Sequence, residues 1–241
     1  MSAVGAEQRT HILGEGIDTD SSPTVSIPSG FLATEHWVDL VNATENDSCE
    51  YGYAVGIDRQ GEPVLSSRLE GYPPVTGEDG VEIEGASLAV PVFPFGVLRA
   101  RQIKKAALIH THPMPTFEDR PRTRIFSDKD IGHFFGSDYS AMMMLDQGGA
   151  HLLAKKERFT HDAWDLLHPE LVKTTILDVR EGSRSMRDVL SRVAYQLSVF
   201  GIGYYYTPDL SQPNDTVEFQ NLRQVKAVLT PSTSQFLLQH L

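Results

Sequence analysis

The chain has 241 residues, 40% of them hydrophobic and 22% charged, with a formal net charge of -11. Such a length and composition allow one sizeable core and exclude wholesale disorder. The acidic balance and the lack of any long basic block exclude a nucleic-acid backbone as the main partner.

Residues 1–28 are rich in Ser, Thr, Gly and Asp and read as a loose, flexible lead-in. They lack the basic stretch followed by an apolar stretch that marks a secretory leader. No apolar run approaches the roughly 20 residues that a membrane span needs. The single cysteine, Cys49, excludes an internal disulfide and a cysteine-rich zinc site. A cytoplasmic protein with no membrane partner is the expectation.

"SGFLATEHWVDLVNA" predicts a helix, with Ser29 as its cap and Phe31, Val38 and Val41 as its apolar stripe. "CEYGYAVGIDRQGEPVLSSRLEG" predicts a hairpin turning at Asp58–Gly61. Residues 71–85 read as a loop, and "ASLAVPVF" as a strand with Pro91 near an edge. "KKAALIH" is a short apolar run of the kind that forms a buried strand. A polar loop over 113–126 leads to "FSDKDIGHFFG", a helix capped by Ser127 and stopped by Gly136. "YSAMMMLDQGGAHLLAKK" reads as a second hairpin around Gly148 and Gly149, and its methionines as core. Residues 162–180 give no clear pattern. "SRSMRDVLSRVAYQLSVFG" is the clearest helix: Ser183 or Ser185 can cap it, Met186, Val189 or Leu190, Val193, Leu197 and Phe200 lie on one stripe, and Gly201 ends it. The aromatic run in "GYYYTPD" suits strand packing or a partner surface equally. The whole describes an α/β or α+β domain with its chemistry near the middle.

That chemistry starts at "LIHTHP". On a strand, residues two apart share a face about 7 Å apart at the backbone. His110 and His112 can therefore converge on one ion at about 2.0 Å each while Thr111 points away. Asp130, in the first turn of the Ser127-capped helix, is the best third ligand; Asp128 and Asp119 are alternatives. A helix N-terminus there favours negative groups. Ser127 either caps the helix or donates a hydrogen bond to an oxyanion. His133, His151, His161 and His168 read as structural.

The order His-x-His-Pro, then Ser-x-x-Asp, resembles the signature of the JAMM (JAB1/MPN/Mov34) metalloproteases, over roughly residues 29–156. The resemblance implies Zn2+ held by His110, His112 and Asp130, with Ser127 supporting the tetrahedral intermediate. It also implies an upstream glutamate as general base. Glu50, just before "YGYAVG", occupies the matching place, with Glu45 and Glu35 as alternatives. Here the second histidine and the serine stand 127 − 112 = 15 positions apart, which enlarges the loop between them beyond the family's usual spacing. The family's glycine after the glutamate is displaced as well, with Gly52 one position early.

The implied fold is an MPN/JAB-like, cytidine-deaminase-like curved central sheet flanked by helices. The catalytic domain would cover 29–160, with 161–241 a C-terminal helical extension packed on the same domain. The implied activity is hydrolysis of a peptide or isopeptide bond, at the C-terminal tail of a ubiquitin-like protein, by a zinc-activated water. A homodimer or a subunit of a larger complex is the implied form of assembly. The competing reading from the same resemblance is a non-catalytic MPN-like scaffold. An unrelated barrel hydrolase with an early His-x-His fits less well, because the motif lies near the middle of the chain.

Overall fold

A computed structural model of the protein describes residues 24–28, 34–47, 49–73, 75–76, 82–84, 88–89, 93–113, 126–146, 149–155, 164–165, 167–168, 186–208 and 216–222. Alternating and continuous apolar runs become the strands of one large sheet. In chain order these are β1 (Thr24–Pro28), β2 (Tyr51–Ile57), β3 (Pro63–Leu65), β4 (Leu69–Glu70), β7 (Lys104–Thr111), β8 (Ala141–Asp146), β9 (Gly149–Lys155), β10 (Ile202–Thr207) and β11 (Thr216–Asn221). β5 (Val75–Thr76) and β6 (Glu82–Glu84) form a separate two-stranded ribbon within the expected loop. The large sheet runs β1-β11-β10-β9-β8-β7-β2-β3, with β4 also pairing β2. It is open and mixed, consistent with an α+β arrangement.

Among the described residues, only the β7–β8 pair is parallel; the other registered pairs are antiparallel. A parallel neighbour needs a crossover rather than a hairpin. The crossover here contains helix α3 (Asp128–Gly136). Its Ile131, Phe134 and Phe135 are buried in one core with Leu108 of β7 and Met142 and Met144 of β8. Helix α4 (Met186–Val199) packs on the same side through Leu190, Val193 and Leu197 of the expected stripe, joined by Ala194, with Phe200 half-buried beyond the helix end. Its expected serine caps, Ser183 and Ser185, lie outside the described residues. Helix α1 (Thr34–Asp47) joins the second core, with Leu40 against Tyr51, Val55, Ile109 and Met143. The sheet thus has a core on each face.

Several expectations are corrected. Residues 24–28, read as part of a loose lead-in, form an edge strand paired with β11. Edge positions tolerate the proline that ends it. The α1 stripe differs in part: Val41 packs half-buried against the core as expected, but Val38 is 52% exposed, and among the described side chains the buried positions are Leu40 and Thr44, one helical turn apart. Thr44 can be buried because its hydroxyl donates to the Leu40 carbonyl. Phe31 lies outside the described residues. The strand expected over 86–93 falls mostly outside them, and a short helix, α2 (Phe95–Arg101), follows it. Residues 186–222, assigned by sequence to an extension, supply α4 and two strands of the same sheet, because β10 pairs along β9 from Ile202↔Lys155 to Thr207↔Ala150.

Leu197 is fully buried where α4 meets the sheet. Leu197→Ala is expected to destabilise the fold by about 2 to 5 kcal/mol, measured as a lowered denaturation midpoint at unchanged slope.

Candidate metal centre

The centre is built at the C-terminal end of β7. Leu108 and His110 face the α3 side of the sheet, while Ile109 and Thr111 face α1, as strand alternation dictates. His112 follows the strand directly. Both imidazoles are buried, and their Nε2 atoms approach to 3.2 Å. Opposite β7, Gly52 of β2 stands in register with His110. A Cβ on Gly52 would lie 2.7 Å from the Ile109 carbonyl and 2.7 Å from Leu88 Cδ2, so only glycine lets the strands and the covering leucine close beside His110.

The third group comes from α3. Ser127 has extended backbone and caps the helix in a reciprocal box: its hydroxyl accepts the Asp130 N–H at 3.1 Å, and its own N–H donates to Asp130 Oδ2 at 2.7 Å. The Ser127 hydroxyl also donates to the same Oδ2 at 2.7 Å. Asp130 is thereby held with Oδ2 3.2 Å from His112 Nε2 and Oδ1 3.4 Å from His110 Nε2. Sequence left Ser127 open between capping and oxyanion support; the structure engages its hydroxyl in the cap.

His110, His112 and Asp130 form a group whose ligand atoms all lie within 4.8 Å of one another and which could hold a metal ion. Ligand atoms about 2.0 to 2.1 Å from a tetrahedral ion lie about 3.3 Å apart. His112 Nε2 lies 3.2 Å from both His110 Nε2 and Asp130 Oδ2, which matches that edge length, while the 3.4 Å approach to His110 Nε2 is made by the other carboxylate oxygen, Oδ1. Two imidazole nitrogens and one carboxylate suit zinc, and equally other first-row metals. Burial pushes the Asp130 carboxyl up, but the charges and hydrogen bonds of His110 and His112 outweigh it and hold it well below the usual carboxylate range. Asp130 therefore presents a carboxylate, the protonation state that a metal ligand needs.

Glu50 lies just before β2, with Oε1 3.8 Å from His112 Nε2, and the Gly71 N–H donates to its carbonyl at 2.7 Å. Burial raises its carboxyl above the usual range; His112, His110 and Lys129 offset part of that, and Asp130 adds to it. The side chains of Glu35 and Glu45 lie outside the described residues, as does Asp119. Asp128 faces another way, with its Oδ2 3.4 Å from His168 Nε2.

The wall behind the ligands is aromatic. Phe126, buried, stacks 5.8 Å from the His110 ring and 5.8 Å from Tyr204. Behind it His151 of β9 shares a 3.0 Å hydrogen bond between its Nδ1 and the Tyr204 hydroxyl. Sequence reading treated His151 as structural, and nothing in its spacing connects it with His112; the link arises from β8 and β9 pairing Met144 with His151, beside the Met144–His110 pair.

Burial, and secondarily His112, pushes the His151 imidazole down to about 3. The unfolded chain takes up that proton near the ordinary histidine value of about 6.5, so the unfolded state binds more protons across this window and stability falls with falling pH. Between about pH 6.5 and 3, wild type is expected to lose stability more steeply than His151→Gln, read from denaturant midpoints at successive pH values. No protein-family model matches the chain, nor does any curated protein or solved structure compared with it, so the reading of this centre rests on its own residues and geometry.

Proposed function

We propose that the protein is a metal-dependent hydrolase of JAMM type, taking zinc at His110, His112 and Asp130 and cleaving a peptide or isopeptide bond. The single observation that carries the reading is the buried convergence of these three groups with the Glu50 carboxylate beside them, 3.8 Å from His112 Nε2. The order and identity of the four residues resemble the family signature, which supports the same assignment.

When bound, a zinc ion supplies Lewis acidity, polarising an amide carbonyl and making a nearby water more acidic. Glu50 stands beside the ligand cluster to take the proton of the attacking water and to hand it to the departing amine as the C–N bond breaks. Asp130 and the two histidines hold the ion, and Ser127 fixes the Asp130 carboxylate. For Ser127 to support the developing oxyanion, its O–H must turn from Asp130 toward the cleft. The proposed substrate is the C-terminal tail of a ubiquitin-like protein or a similar extended peptide, whose backbone can pair with an exposed strand. The competing reading, a zinc-holding scaffold, requires Glu50 to be dispensable.

Purified protein is expected to carry close to one zinc per chain, and His112→Ala to lose it after dialysis, by elemental analysis. A metal-free wild type under zinc-replete purification would sink the centre. Glu50→Gln should keep the zinc and lower hydrolysis by about 10²- to 10⁴-fold, the range for losing a general acid–base group. Wild-type turnover in that variant would remove Glu50 from the mechanism.

A further inference from the structure

Thr111, between the two histidines, has no place in the chemistry above, yet its side chain joins a chain of buried hydrogen bonds beside the centre. Its hydroxyl accepts the Tyr51 N–H at 3.0 Å and bonds to the Thr44 hydroxyl, which in turn donates to the Leu40 carbonyl at 2.9 Å. All four residues are buried. The Leu40 end fixes the direction of the chain of bonds. With the one hydroxyl proton of Thr44 given to the Leu40 carbonyl at 2.9 Å, the bond between the two threonines runs from Thr111 to Thr44. A longer contact of 3.4 Å from the Thr111 hydroxyl reaches the Tyr51 carbonyl.

The placement matters because Tyr51 immediately follows Glu50. The last registered pair between β2 and β7 is Gly52↔His110. One position further out, the Thr111 side chain takes the Tyr51 N–H. The carbonyl of that same peptide, contributed by Glu50, is held by the Gly71 N–H. The peptide carrying Glu50 is thus clamped to the same residue that separates His110 from His112, and through Thr44 to α1.

We infer that Thr111 is a positioning residue, which fixes the Glu50 carboxylate relative to the two histidines by clamping the Tyr51 N–H from the opposite face of β7. The inference rests on the hydrolase reading for its catalytic meaning, while the clamp itself is independent of it. His110 lies within β7 and is registered with both β2 and β8, so it stays in place when the clamp is removed, while the peptide of Glu50 keeps only its bond from the Gly71 N–H. Displacing a reacting group by about 1 Å can cost about 100-fold in rate.

The test compares wild type, Thr111→Val, Thr111→Ser and Thr44→Ala. The readouts are zinc content, steady-state hydrolysis of a fluorogenic isopeptide joining a ubiquitin-like C-terminal tail to lysine, and hydrogen exchange at the Tyr51 amide. Thr111→Val should retain zinc, lose about 100-fold in kcat with KM unchanged, and exchange the Tyr51 amide faster. Thr111→Ser, which restores the hydroxyl, should recover both. If Thr111→Val does not fold, Thr44→Ala, which frees Thr111 from α1, should show the same two changes to a smaller degree. Wild-type kcat together with wild-type Tyr51 exchange in the folded variant would overturn the inference. So would zinc loss from Thr111→Val with kinetics per zinc unchanged, because Thr111 would then act on the ligands. If the wild type neither holds zinc nor hydrolyses the probe, the hydrolase reading fails, and Tyr51 exchange alone still judges the clamp.

Discussion

A carboxylate that is largely withdrawn from water must be compensated or it protonates. The Asp130 side chain retains 17% exposure and is compensated from two directions: Ser127 donates twice to Oδ2, and two imidazoles face the carboxylate from β7. Each half of that arrangement demands a different part of the fold. The serine bonds exist only because Asp130 is the third residue of a capped helix. The imidazoles are available only because β7 ends there, with both histidines turned to the α3 side. Helix start and strand end must therefore meet, and the packing of Ile131, Phe134 and Phe135 onto the sheet keeps them together.

The two faces of β7 divide the work. One face carries the groups that could bind a metal, backed by Phe126 and the His151–Tyr204 pair. The other is a largely apolar core crossed by a hydrogen-bonded thread from Tyr51 to Leu40. Strand alternation makes the separation possible at single-residue resolution, because His110, Thr111 and His112 point to opposite sides in turn.

Where the chain was legible, it was legible through short-range pattern. β7, the β8–β9 hairpin, the Ser127 cap and the Leu190–Leu197 stripe all announce themselves by spacing or capping chemistry. So does the triad, because His-x-His and Ser-x-x-Asp each encode a local geometry. What escaped depends on distant partners. β1 is too short and too polar to read as a strand until β11 lies beside it. Thr44 looks like a surface position, and only its bond to Leu40 and its neighbour Thr111 make it a core one. Gly52 breaks the expected glycine spacing, yet its register opposite His110 explains why a glycine stands there.

The β1–β11 pair has a consequence for the order of assembly. The first and last described strands close one edge of the sheet against each other. Pairings between residues far apart in sequence pay their loop-closure entropy before any contact repays it, so they form late. β2, β7 and the start of α3 need neither β1 nor β11 for their own contacts. A chain in the course of folding can thus hold its histidines, Asp130 and Glu50 in one place while the β10 flank of the sheet is still incomplete, and that flank is completed only when β11 and β1 meet.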